Sequence, residues 1–210
     1  MSWDLGYVSE IDYTHGYYRE LSPLMMELCL LSRRQAHRVG RPLRYLELGF
    51  GQGLSLNIHA ATTQGEFWGT DFNPVQAANA RELASASGAD IKVLDASFSE
   101  LAAREDLPEF DIIGLHGIWS WISAENRRVI VDIARRKLAA GGVFYISYNT
   151  TPGWSAAMPL RHLMTLHSEL ASGEAQGVWP AGSMPHSPSH NRWWTPRPCT
   201  SAPTLRSPNA

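Results

Sequence analysis

Two acids and three glycines stand at spacings that can do chemistry. Residues 45–53 read Tyr-Leu-Glu-Leu-Gly-Phe-Gly-Gln-Gly, an apolar run that carries Glu47 and then glycines at alternate positions, Gly49, Gly51 and Gly53. A second run, 67–71, ends in Asp71. Glycines let a backbone turn sharply and lie against a ligand with no Cβ in between. A helix that starts just after them offers free N–H groups and the positive end of its dipole. Asp71 falls where a carboxylate can accept both hydroxyls of a ribose, at the carboxyl end of a strand, which is where α/β sheets hold ligands. The chemistry implied is the binding of a nucleoside-like cofactor. A glycine-rich turn without a ligand is the plainer alternative.

The third gap separates cofactors. A dinucleotide fingerprint, G-x-G-x-x-G, needs glycine at 54, where Leu54 stands. No Tyr-x-x-x-Lys pair follows the fourth strand either, so a nicotinamide-dependent oxidoreductase is the weakest reading. The pattern Glu47-x-Gly49-x-Gly51-x-Gly53 resembles motif I of the class I methyltransferases that use S-adenosylmethionine (SAM). That resemblance implies SAM as cofactor and assigns its contacts. The glycine loop takes the methionine part through backbone groups, and Glu47 orients the loop or reaches the amino group through water. Asp71 takes the ribose, and Phe72 and Asn73 pack near the adenosine. Asp95, Ala96 and Ser97 lie where this fold recognises the adenine amino group; the alternative for Asp95 is capping the next helix.

Three further segments narrow the resemblance: Tyr13-Thr-His-Gly-Tyr-Tyr-Arg-Glu-Leu-Ser-Pro23, His116-Gly-Ile-Trp-Ser-Trp121 and Tyr145-Ile-Ser-Tyr-Asn-Thr-Thr-Pro-Gly-Trp154. Over roughly residues 10–170 the chain is similar to bacterial SAM-dependent methyltransferases that carry a C-terminal regulatory domain, some of whose relatives resemble protein-lysine methyltransferases. His116 then becomes the leading catalytic residue, because the fourth strand's end faces the transferred methyl in this fold. A neutral imidazole there could accept the proton that an oxygen or ammonium nucleophile must lose. Its alternative is a backbone-bonded histidine shaping the Gly117 turn. Tyr148 and Asn149 line the acceptor side. Trp119 and Trp121 either pack the loop or wall a substrate slot. By resemblance Tyr17, among Tyr13, Tyr17 and Tyr18, folds over the cofactor as a lid. The acceptor itself is open, a protein side chain being one class. A domain that holds SAM or its demethylated product without turnover is the second reading.

These residues need a parallel α/β sheet to position them. The expected strands are 44–48, 67–71, 91–95, 110–115 and 143–148. The expected helices are 22–39, near 54–64, 74–87, 97–105 and 123–139, with another near 155–171. Strand–helix alternation implies a doubly wound Rossmann-like sheet with right-handed crossovers, in strand order 3-2-1-4-5 by the resemblance, lacking the final β-hairpin of the fold. The divisions are an N-terminal lid and helix (1–43), the SAM-binding domain (44–171) and a Pro/Ser-rich tail (172–210). More than half of the thirteen prolines lie in that tail, which is expected to be disordered. Its Pro, Arg, Ser and Trp also look like out-of-frame translation of GC-rich DNA. Without strands beyond the fifth, that strand becomes an uncovered edge, a route to homo-oligomers.

Composition limits the partners. At 210 residues the chain can bury one sizeable core, and a net charge of −2 gives no overall basic field for nucleic acid. Arg33, Arg34, Arg38, Arg41 and Arg44 read as a solvated helix end, or alternatively as a partner patch. Cys29 and Cys199 form neither a disulfide framework nor a metal set, and His15, His59, His162 and His167 have no ligand spacing. With neither a signal peptide nor an apolar span visible, the expected compartment is the cytoplasm and no membrane is involved.

Overall fold

The computed structural model describes residues 15–35 and 42–172. Strands and helices alternate as α1 (Pro23–Ser32), β1 (Leu43–Leu48), α2 (Leu54–Thr62), β2 (Gly65–Asp71), α3 (Pro74–Ser87), β3 (Ile91–Asp95), α4 (Phe98–Ala103), β4 (Phe110–Leu115), α5 (Ala124–Lys137), β5 (Leu138–Ile146) and α6 (Met158–Ser172). A short 3-10 turn, Arg19–Leu21, precedes α1. The five strands are all parallel, in the order β3-β2-β1-β4-β5. The chain winds outward from β1 in one direction and then from β4 in the other. The crevice for a ligand therefore opens at the carboxyl ends of the central strands.

Strand alternation splits the core in two. Leu46 and Leu48 of β1, Trp68 of β2 and Ile113 and Leu115 of β4 face α4 and α5, where they meet Phe98, Leu101, Ile130 and Ile133. Tyr45, Phe67 and Ile112 point the other way, against Met26 of α1, Leu56 of α2 and Ala77 and Ala80 of α3. All six residues of β4 are buried, as a central strand covered on both faces requires.

The helix starts are written locally. The Asn73 side chain accepts from Val75 N–H at 3.0 Å with Pro74 in the first turn of α3. Ser97 and Glu100 form a reciprocal capping box on α4, and Ser123 caps α5. Helix α2 differs: its N-cap is Gly53, at φ 75°, with no side-chain cap.

Several expected boundaries move. Helix α1 ends at Ser32, and its recurring leucines, Leu24, Leu28 and Leu31, are exposed, while Pro23 and Met26 are the buried residues. The expected 97–105 helix begins at Phe98, so Ser97 is the cap and Asp95 is not. Helix α5 ends at Lys137, and the expected turn at Gly141-Gly142 lies inside β5. Pairing jumps from Phe110↔Leu138 to Ile112↔Val143, and the extra residues form a bulge. Gly141 has φ 77°, and a Cβ on Gly142 would stand 2.9 Å from the carbonyl oxygens of both Ala139 and Asp111. Strand β5 ends at Ile146, so Tyr148 and Asn149 belong to the loop after it. Tyr13, Arg38, Arg41, Cys199 and the tail from 173 on lie outside the described residues.

Candidate functional site

Three left-handed glycines build the loop after β1. Gly49, Gly51 and Gly53 have φ of 70°, 57° and 75°, conformations that L side chains rarely adopt. At Gly53 the approach is also steric, since a Cβ would lie 2.4 Å from that of Ala80 on α3. The loop is tied to β2 by the Gly49 N–H, which donates to Thr70 O at 2.7 Å.

Asp71 closes this loop from the next strand. Its carboxylate is buried and accepts from the Gly51 N–H at 2.9 Å and the Asn73 N–H at 3.0 Å. Turned to satisfy its hydrogen bonds, the Gln76 amide adds contacts of 3.1 and 3.2 Å to the two oxygens. Burial pushes the carboxyl up to about 6 even though these amides favour its charge, and the Asp95 carboxylate adds to the push. Asp95 stands beside Asp71 in the β2–β3 register and is exposed. Ala96 bridges the two strands, its N–H donating to Asp71 O at 3.0 Å and its carbonyl accepting from the Thr70 hydroxyl at 2.6 Å. Ser97 and Asn73 spend their side chains on helix caps. Phe72 packs at the rim of the α4–α5 core.

Glu47 is 3 % exposed, beneath the loop. The Tyr45 hydroxyl lies 3.4 Å from its Oε2 and 3.2 Å from the Leu21 carbonyl. Burial pushes the Glu47 carboxyl up to about 8, with the Asp71 charge adding to the effect and the Tyr45 hydrogen bond opposing it. Near neutral pH this acid keeps its proton.

The N-terminal segment lies across the carboxyl ends of the strands. The Tyr18 N–H donates to Ser55 Oγ at 2.8 Å, and the Ser55 hydroxyl reaches Gly16 O at 3.3 Å. Leu21 is buried against β4, where a Cβ on Gly114 would stand 2.9 Å from its side chain. Tyr17, placed over the cofactor by resemblance, is half exposed, with its ring 5.5 Å from that of His59. Tyr18 meets His116 instead: the two ring centroids are 4.3 Å apart. His116 follows β4, is half-buried, and is held below its ordinary pKa by burial. Its Nδ1 lies 3.2 Å from Ser147 Oγ and 3.5 Å from Tyr145 Oη.

The loops after β4 and β5 are tied together. The Gly117 N–H donates to Ser147 Oγ at 2.7 Å and the Asn149 N–H to Ser120 Oγ at 2.8 Å. Trp121 packs edge-on to Trp154 under Arg161, and Arg127 donates to the Trp119 carbonyl, so both tryptophans brace these loops. Tyr148 is 59 % exposed, with its side chain outside this cluster's contacts. Sequence reasoning singled out His116 and weighed Tyr18 only as a lid residue, and it did not bring Tyr145 and Ser147 to His116. The signal available for the last two was alternation: residues 145 and 147 share a face of the expected 143–148 strand.

SAM fits what the residues offer. The uncapped first turn of α2 leaves backbone N–H groups for its methionine part, and the left-handed glycines keep Cβ atoms out of the way. The buried Asp71 carboxylate can take a diol.

Comparison with known proteins agrees. Residues 46–142 match a family model described as a methyltransferase domain. The fold is that of PKMT2 from Rickettsia typhi, at TM-score 0.65 and 26% identity over 75% of this chain and 31% of that one. The same protein in complex with AdoHcy gives TM-score 0.67 at 24% identity. Among curated proteins, the uncharacterised sll1526 of Synechocystis is 43% identical over 82% of this chain and 34% of its own length. RP028 of Rickettsia prowazekii is 32% identical over 60% of this chain and 50% of its own. The chain thus spans between a third and a half of the length of these two relatives. Together these findings give the chain the fold of the class I methyltransferases and, over residues 46–142, the match to a methyltransferase domain, which implies SAM as the cofactor. No helix among the described residues is long and apolar enough to cross a membrane.

Proposed function

We propose that this chain transfers a methyl group from SAM to an amine on a protein side chain, with lysine as the acceptor class. The observation that carries the reading is the Asp71 carboxylate, buried and aimed at the glycine loop by the Gly51 and Asn73 amides. When bound, SAM supplies a methyl already activated on a sulfonium, which leaves orientation and proton removal to the protein. In this reading the amides at the start of α2 bind the methionine part beside the glycines Gly49, Gly51 and Gly53, Glu47 supports that loop, and Asp71 binds the ribose. Asp95, Ala96 and Ser97 flank the adenine, with Phe72 and Asn73 near the adenosine. The segment through Tyr17 and Tyr18 keeps water from the site. His116, its pKa lowered by burial, is neutral at pH 7 and able to take a proton from the incoming ammonium.

Lysine is favoured by the resemblance of the His116–Trp121 and Tyr145–Trp154 segments to the bacterial methyltransferases that carry a regulatory domain, some of whose relatives resemble protein-lysine methyltransferases. PKMT2, which binds AdoHcy, is a fold precedent for the same cofactor chemistry. Tyr148 and Asn149, beside the tied loops, line the acceptor side. The test is transfer of radiolabelled methyl from SAM to purified lysine-bearing proteins and peptides by the full chain. Label on lysine is expected, and His116→Ala should lower turnover by about 100-fold or more while SAM affinity holds. SAM binding with no transfer to any acceptor would favour a non-catalytic holding domain.

A further inference from the structure

Residues 16–21 form a strap whose two ends are fixed to β1 and α2, the elements on either side of the glycine loop. At its start, Ser55 spends its hydroxyl on the strap backbone. The oxygen accepts the Tyr18 N–H at 2.8 Å, and its proton goes to Gly16 O at 3.3 Å. Chemistry fixes both directions, because a backbone N–H only donates and a carbonyl only accepts. Ser55 is buried in the first turn of α2, just after Gly53. At the other end, the Tyr45 hydroxyl of β1 donates to Leu21 O at 3.2 Å. The Leu21 side chain lies over Gly114 of β4, where a Cβ would stand 2.9 Å from it.

Between these anchors the two tyrosine rings go to different histidines. Tyr17 lies 5.5 Å from the ring of His59, which stands one helical turn after Ser55 on α2 and is buried. Tyr18 lies 4.3 Å from the ring of His116 at an interplanar angle of 30°, a face-on contact and not an edge-on one. The Nδ1 edge of the same imidazole is bordered by the hydroxyls of Ser147 at 3.2 Å and Tyr145 at 3.5 Å. One face of His116 is therefore covered by the strap, and one edge by residues at the end of β5. How firmly the strap is held decides how much water reaches that face.

We propose that Ser55 is a positioning residue for His116, acting through Tyr18: it clips the strap to the cofactor helix, and the clipped strap lays the Tyr18 ring on the imidazole and keeps water from that face. This rests on reading His116 as the base. The clip uses only backbone groups of the strap. The hold therefore belongs to the Ser55 hydroxyl and the cover to the Tyr18 ring, and substitution separates the two. Exclusion of water keeps the imidazole neutral and confines it to one orientation, as a closed lid does over a reacting centre. Because Ser55 sits in the first turn of α2, one side chain joins the helix that receives the cofactor to the residue that receives the proton.

The test reads single histidines in the full chain and needs neither acceptor nor SAM. Diethyl pyrocarbonate acylates neutral imidazoles, and mass spectrometry of the digested protein gives a rate for each, with the exposed His162 as internal reference. Ser55→Ala removes the clip, and loss of its two hydrogen bonds should speed acylation of both His116 and His59 by about 10-fold. Tyr18→Ala keeps the clip through its backbone N–H, so it should speed His116 and leave His59 at the wild-type rate. Tyr18→Phe should match the wild type at both, since the cover needs the ring and not the hydroxyl. A wild-type rate at His116 in either Ser55→Ala or Tyr18→Ala would overturn the proposal. So would a Tyr18→Phe chain as reactive as Tyr18→Ala, or a Tyr18→Ala chain that exposes His59 together with His116. Whether His116 takes the acceptor's proton is read separately, from the turnover of His116→Ala.

Discussion

Two buried acids dominate the site, and each is held against its preference for water. Glu47 titrates near 8 and Asp71 near 6, in both cases chiefly because of burial. Above pH 4.5 an unfolded Glu47 is ionised, while the folded one keeps its proton. The native state therefore binds more protons, and stability falls as pH rises. Asp71 adds a fall between about 4 and 6. It is opposed by His59, which burial holds at about 4 and which resists charging in the fold. From pH 7 to 8 Glu47 outweighs His59 and His116, so the ligand-free chain should lose about 1 kcal/mol over that window, and Glu47→Gln should flatten the slope. Urea unfolding at the two pH values measures it. The acids and glycines were legible in the sequence because their spacing is local. Tyr18, Tyr145 and Ser147 were not, because their contacts with His116 cross 29 residues or more of chain.

Among the elements, glycine requirements separate backbone strain from contact. Gly53 and Gly88 share a left-handed backbone, at φ 75° and 70°, but only Gly53 meets a neighbour where a Cβ would go. Gly88→Ala should cost about 1 kcal/mol, the strain alone. Gly53→Ala adds a clash with Ala80 and should cost about 2–4 kcal/mol in chemical denaturation, while also weakening SAM binding. Ser97→Ala removes half of a capping box and should cost about 1 kcal/mol in chemical denaturation. Strand cores and helix caps were readable because alternation and capping residues act within a few positions. The start of β5 was not. Gly141-Gly142 has the composition of a turn, and only the carbonyls of Ala139 and Asp111 show it to be a bulge within the strand. In α1 the leucine periodicity gave the helix correctly, yet the neighbouring elements bury Pro23 and Met26 instead.

For the molecule as a whole, the sheet order puts the crevice between β1 and β4 and leaves β3 and β5 as outer strands among those described. Leu24, Leu28 and Leu31 of α1 and Leu160, Leu163 and Leu166 of α6 are exposed. Together with the flank of β5 that no described strand pairs, they suit self-association. Sedimentation velocity should show mass rising with concentration. Changing the three α1 leucines to glutamate should reduce that rise and move the unfolding free energy by less than about 1 kcal/mol, since these positions contribute little burial. The sheet order was legible through the family resemblance, whereas faces left open between elements have no local signature. The most direct measurement is calorimetric titration of the full chain with SAM, with NADH as control and Asp71→Ala as the variant. The expected result is saturable SAM binding, no response to NADH, and affinity lowered about 10- to 100-fold in Asp71→Ala. A folded chain that ignores SAM, or binds it equally well without Asp71, would contradict the cofactor site described here.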